Sequence, residues 1–193
     1  MNISYLIYNL FHNRFSLKMW KLELDASRKK TKLRHCHVTD SGKNNTITIG
    51  EYGLISGVRF FTSGNNNHIT IGRKAYCNGS TQQPIRLNAC DGTSITIGDN
   101  IILSNNVEIH TTDYHRITDD NGNVLNKPKD IVIGNRCWIG LRCIILKGTI
   151  LPDDTIVGAS SVTNKVYCES GTIIAGIPAK AVRTGVKVGD LGN

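Results

Sequence analysis

The hydrophobic positions of this chain recur at a spacing that suits neither common element. Ile133, Ile139, Ile145, Leu151 and Val157 fall six residues apart without a break, as do Ile97, Leu103 and Ile109, and again Ile49 and Ile55. An α-helix repeats its buried face every 3.6 residues and a half-buried strand every two. A period of six fits a chain that runs straight, turns a corner and repeats. Three short strands then make one coil of 18 residues, with one aliphatic per strand pointing inward. Small or β-branched residues follow each aliphatic of the long run by four positions, at Cys137, Cys143, Thr149, Thr155 and Ser161. Glycine directly follows the aliphatic at 50, 72, 98, 134, 140 and 158, where a corner is expected to need it. Stacked coils pair as parallel strands, which satisfies their backbone groups. The expected fold is all-β, a parallel β-helix of hexapeptide repeats.

The phrase I-x-I-G occurs four times, ending at Gly50, Gly72, Gly98 and Gly134, at spacings of 22, 26 and 36 residues. These spacings are one coil lengthened by four, eight and eighteen residues, so the extra chain is inserted at corners. The largest insertion, about 112–129, begins in HTTDYHRI and is a long polar loop thrown out of a regular coil; such loops are usually functional or disordered. The flanks differ. Ile3, Leu6, Ile7, Leu10 and Phe11 mark one face of a helix over about 3–16, and Trp20, Leu22 and Leu24 suggest a short extended piece near 19–25. YCESGTIIAGIPAKAVR reads as an irregular last strand and a short terminal element. The expected organisation is a helical and basic segment over 1–35, the β-helix over 36–175 and a tail over 176–193.

A length of 193 residues fits one domain with a short appendage. The net charge of +8 is unevenly spread: residues 1–40 hold eight basic residues against three acidic ones. The basic N-terminal segment has three readings: a cap on the open end of the β-helix, a peripheral contact with a membrane surface, or a contact with an acidic polymer. Six cysteines show no C-x-x-C pair and read as reduced thiols in a cytoplasmic protein, with the inner membrane surface as an additional location. No stretch is long and apolar enough for a transmembrane helix. His35, Cys36 and His37 are adjacent rather than at chelating spacing, so no metal is expected.

IGDNIILSNNVEIHTTDYHRI, IVIGNRCWIG, IVGASSVTNKV and AGIPAKAVR together resemble the hexapeptide-repeat acyltransferases, over about 36–186. The DYHRI loop and CWIG most resemble the bacterial polysaccharide and sialic acid O-acetyltransferases. The resemblance implies a left-handed β-helix, acetyl-CoA as co-substrate, a saccharide acceptor and a homotrimer with no nucleic-acid partner. It makes His115 the general base, the role an imidazole needs if a weakly nucleophilic hydroxyl is to attack a thioester. It places Trp138 beside the thioester arm, where backbone N–H groups can hold the developing oxyanion. It lines the coenzyme groove with Gly140, Ala159, Lys165, Lys180 and Arg183, the cations meeting its phosphates. Serine stands after Ala159 where glycine is commoner. His110, Asp113 and Tyr114 are candidates for acceptor contact; His110 is also the alternative base, and Asp113 could orient an imidazole. The function implied is O-acetylation of a bacterial surface saccharide by direct attack. N-acetylation of an amino-sugar nucleotide and a non-catalytic, glycan-binding β-helix are the alternatives.

Overall fold

The computed structural model describes residues 31–189, together with the backbone of one strand at Glu23–Ala26. As far as Thr163 the chain visits three sheets in strict rotation. Face I holds β1 (Glu23–Ala26), β4 (Thr46–Ile49), β7 (His68–Ile71), β10 (Ser94–Ile97), β13 (Ile131–Ile133) and β16 (Ile150–Leu151). Face II holds β2 (Lys32–Arg34), β5 (Leu54–Ser56), β8 (Tyr76–Asn78), β11 (Ile102–Leu103), β14 (Trp138–Ile139), β17 (Ile156–Val157), β19 (Ile173–Gly176) and β20 (Ala179–Arg183). Face III holds β3 (His37–Ser41), β6 (Val58–Ser63), β9 (Ile85–Cys90), β12 (Glu108–His110), β15 (Ile144–Leu146) and β18 (Val162–Thr163). Neighbours on each face pair in parallel, except for the antiparallel β19–β20 pair that ends face II.

The period of six is the reason for this shape. Ile133, Ile139, Ile145, Leu151 and Val157 are all at most 1% exposed, and so are the small residues Cys137, Cys143, Thr149, Thr155 and Ser161. In-register pairing stacks like on like, as in Ile47↔Ile69 and Ile95↔Ile131. The core is therefore a column of aliphatic side chains along the axis, one layer per coil.

The glycines of I-x-I-G serve a purpose other than the one expected. Their φ is ordinary, and the left-handed residue comes two positions later, at Tyr52, Lys74, Asn100 and Arg136. What the glycine permits is close stacking of corners. A Cβ at Gly98 would lie 2.6 Å from Asn135 Oδ1 and 2.8 Å from the Gly134 carbonyl carbon. The same corner carries a side-chain ladder: Asp99 accepts from the Arg73 amide, Asn135 from the Asp99 amide and Asp153 from the Asn135 amide.

The coil begins upstream of residue 36, because β1 and β2 already belong to its sheets and Thr31 and Leu33 are buried. At the other end β20 falls within the segment read as a tail, where it forms the edge of face II. The helix expected over about 3–16 lies outside the described residues, as does the extended piece near 19–25 up to Glu23. Strand β1 overlaps the end of that piece.

Replacing Gly98 with Ala should lower stability by about 1–3 kcal/mol, the cost of forcing atoms into a packed site. Ile97→Ala should cost about 2–5 kcal/mol through the cavity it leaves. Urea denaturation of both variants checks this; a neutral Gly98→Ala would mean that the corners do not stack as tightly as drawn.

Candidate functional site

The long excursion leaves the corner between faces III and I, after β12 and before β13. Its neck is closed by Lys129, whose amide donates to the Thr111 carbonyl. Beyond the neck it is an ordered arm. Leu125 N donates to Ile117 O, Thr118 and Val124 form an antiparallel bridge, and the Asp119 carboxylate accepts from the Asn121 and Asn123 amides at the tip. Ile117 and Leu125 are exposed on this arm, at 56% and 64%.

The two histidines at the root of the arm are in opposite circumstances. His110 ends β12 in register with Asn88 and Leu146. Its Nδ1 lies 3.0 Å from both Asn88 Nδ2 and the Tyr114 hydroxyl, and its Nε2 lies 3.1 Å from Glu108 Oε2. Burial raises the pKa of Tyr114, so the phenol stays a neutral donor. Asn88 Nδ2 and the phenol both donate to Nδ1, which assigns the ring proton to Nε2, facing Glu108. Glu108 is in turn bonded to Arg86 at 2.7 Å. Both nitrogens of His110 are thus engaged inside the protein.

His115 is exposed, and among the described residues its imidazole makes no hydrogen bond or ion pair. Only its backbone is held, with N donating to Asp113 O and O accepting from Asn126 Nδ2, both at 2.8 Å. Asp113 does not orient either imidazole. Its carboxylate accepts from Lys147 Nζ and Asn126 Nδ2, and the Lys147 hydrogen bond holds it below the usual carboxylate range.

The other candidates sit elsewhere on the prism. Trp138, 44% exposed, points outward from face II and donates from Nε1 to Ser104 Oγ at 3.2 Å. It belongs to an outward apolar row in register across the face: Leu54, Tyr76, Ile102, Trp138, Ile156 and Ile173. Gly140 follows at the corner of faces II and III, where a Cβ would lie 2.7 Å from Val157 O and 2.8 Å from Ala159 N, so coil stacking alone requires a glycine there. Ser160, the departure from glycine, adopts φ 58°. Lys180 and Arg183 are exposed on β20, the edge strand of face II. Lys165 lies at the III–I corner in the last coil, its Nζ 5.2 Å from the centre of the Tyr167 ring.

Apart from Lys165, the candidates therefore fall into two groups. His110, Asp113, Tyr114 and His115 gather at the III–I corner, while Trp138, Lys180 and Arg183 share face II, with Gly140 and Ala159 at its edge. In a triangular section the III–I corner is opposite face II, so one chain does not bring the groups together. Asn88, Glu108, Asn126 and Lys147 were missed in the sequence. Counting coils would have placed Asn88 and Lys147 beside His110, because Asn88, His110 and Leu146 share a register. Asn126 carried no signal, since no period runs through the arm.

Burial pushes the thiols of Cys36 and Cys137 up to about 11 and raises those of Cys77, Cys90 and Cys143. Protonated thiols are poor nucleophiles, so these five do not supply one. Of the basic run, Lys32 and Arg34 are exposed on β2, and Arg28, Lys29 and Lys30 lie outside the described residues. No helix among the described residues is long and apolar enough to cross a membrane.

The hexapeptide repeat of succinyl-transferase matches residues 87–110 and 130–163, breaking off over the arm. Over those residues the chain is similar to the hexapeptide-repeat acyltransferases. It is 29% identical over 157 residues to galactoside O-acetyltransferase of Escherichia coli (strain K12), covering 77% of this chain and 72% of that protein. It is 44% identical over 55 residues to polysialic acid O-acetyltransferase of Neisseria meningitidis, covering 28% and 26% of the two chains. The crystal structure of the polysialic acid O-acetyltransferase OatWY superposes with a TM-score of 0.64 at 26% identity, covering 90% of each chain. The coils are thus those of a left-handed β-helix, as in the hexapeptide-repeat acetyltransferases that the chain resembles.

His110→Ala would leave the Tyr114 hydroxyl bonded to Asn88 alone and break the link to Glu108. It should destabilise the protein by about 1–3 kcal/mol, the usual cost of a partly buried polar network left unmatched, with a smaller loss of activity than His115→Ala. Thermal unfolding beside kinetics checks both halves.

Proposed function

We propose that this protein is an acetyl-CoA-dependent O-acetyltransferase acting on a hydroxyl of a bacterial surface saccharide, of capsule, O-antigen or sialic acid type, with His115 as general base. The observation that carries it is the contrast between the two histidines. His110 has both ring nitrogens occupied, whereas His115 is held by its backbone alone and has a free imidazole on the surface. A base must offer an unengaged lone pair to the proton it removes. The acceptor hydroxyl gives its proton to His115 as its oxygen attacks the thioester carbonyl. The tetrahedral oxyanion then collapses to the ester, and the departing thiolate takes the proton back from the imidazolium. No acyl-enzyme is needed. The relatives' names support a saccharide acceptor, since they act on galactosides and polysialic acid. Lys180 and Arg183 on face II suit the coenzyme's phosphates, and the exposed Trp138 suits its slender arm.

His115→Ala should lower kcat by roughly a hundred- to ten-thousand-fold, or about 3–5 kcal/mol of transition-state stabilisation, with little change in acetyl-CoA affinity or thermal stability. Mass spectrometry of reactions with acetyl-CoA, a galactoside and polysialic acid should reveal a product heavier by one acetyl group that mild base removes. A base-stable product would point instead to N-acetylation.

The site is completed between copies in a homotrimer, with the arm of one prism reaching over face II of the next. What supports this is the separation of the two groups within one chain and the outward apolar row around Trp138, which a neighbour would cover. Mixed trimers assembled from His115→Ala and Trp138→Ala chains should regain activity that neither variant has alone. A fully active monomer in light scattering, or mixtures that stay inactive, would rule it out.

A further inference from the structure

The backbone that carries His115 is strained and is held from two sides. Asp113, Tyr114 and His115 form a three-residue turn in which His115 N donates to Asp113 O at 2.8 Å, with Tyr114 at its centre at φ 63°. Turns of this kind with positive φ at the centre are rare, and a bulky residue there is an outlier. Such strain persists only where the surroundings over-determine it. One restraint is the Tyr114 hydroxyl, bonded to Asn88 and His110.

The other restraint comes from the far limb of the arm and from the next coil. The Asn126 side chain spans the turn. Its Nδ2 donates to His115 O at 2.8 Å and to Asp113 Oδ2 at 2.9 Å, while its Oδ1 accepts from Ile117 N at 2.7 Å. Asn126 therefore binds the residues on both sides of the turn and the carbonyl of His115 itself. Lys147 follows β15, whose Leu146 is in register with His110, so the coil fixes it beneath the arm. Its side chain is 16% exposed, and its ammonium donates to Asp113 Oδ2 and to Asn126 O, the latter at 2.7 Å. A Lys ammonium has three donors on one point charge, which suits bridging two acceptors on different limbs.

We infer that Asn126 and Lys147 are positioning residues for His115: they hold the arm's two limbs together and lock the strained turn that presents the imidazole. This rests on His115 being the base. Neither residue touches the reacting atoms. A misplacement of about 1 Å in a catalytic group can cost roughly a hundredfold in rate.

The test is a double-mutant cycle on the full chain, with acetyl-CoA and whichever of a galactoside or polysialic acid is turned over. Asn126→Ala and Lys147→Met should each lower kcat by roughly ten- to a hundredfold while leaving the acetyl-CoA KM near wild type. Asn126→Asp, of the same size, keeps the acceptor for Ile117 but loses both donated bonds, so it should fall with Asn126→Ala and replaces it if that variant fails to fold. In the His115→Ala background, Asn126→Ala should cause no further loss, because it acts only through the imidazole. Wild-type kcat in Asn126→Asp and Lys147→Met beside an inactive His115→Ala overturns the positioning role and leaves the base intact. An additive loss in the double variant overturns it as well. An active His115→Ala overturns the assignment of the base itself.

Discussion

Each coil pairs with the next through parallel backbone hydrogen bonds in register, so every face must be entered at the same point of each turn. That requirement spaces the inward aliphatics by six and makes the core a single axial column. It also forces the corners to stack on one another. The glycines of I-x-I-G follow from that stacking, since a Cβ at Gly72, Gly98 or Gly134 would strike the corner of the adjacent coil. The left-handed geometry of the turn itself is borne by other residues, among them Tyr52, Lys74 and Arg136.

The same register decides where extra chain can go. An insertion within a strand would shift every later side chain by one place and turn the core face outward. An insertion at a corner leaves the pairing intact. The arm uses this freedom: β12 and β13 keep their places in faces III and I although twenty residues separate them, from Thr111 to Asp130. Its ends rest on the rigid coil through the Lys129–Thr111 bond, which gives the root of the arm a fixed origin. A histidine at that root is placed far more reproducibly than one at a free loop tip.

Charge and hydrogen bonding then separate two neighbouring histidines. His110 lies on a strand, between the carboxylate of Glu108 and the polar groups of Asn88 and Tyr114, and its ring completes a side-chain network that steadies face III. His115 lies on a turn whose strain is balanced by Asn126, Lys147 and Tyr114, and its ring is left to solvent. The division suits the role proposed for His115, because a general base works best with no structural bond to break.

The amino-acid sequence by itself determined the coil. Its period of six, the small residues four places on and the corner glycines are local and repeat many times, so each coil confirms the one before it. It also located the arm, as the place where the period lapses, and singled out the two histidines at its root. Only the tertiary structure decided what those residues touch. Asp113 was open as a partner for an imidazole, and the fold gives it to Lys147, a residue 34 positions later that the stacking of coils brings beneath the arm. Asn126 had no signal, since its contacts to Asp113 and His115 arise from the pairing of the arm's limbs. The distance between His115 and Trp138 around the prism was equally hidden. Position along the chain does not reveal which corner a residue occupies until the faces have been counted in space.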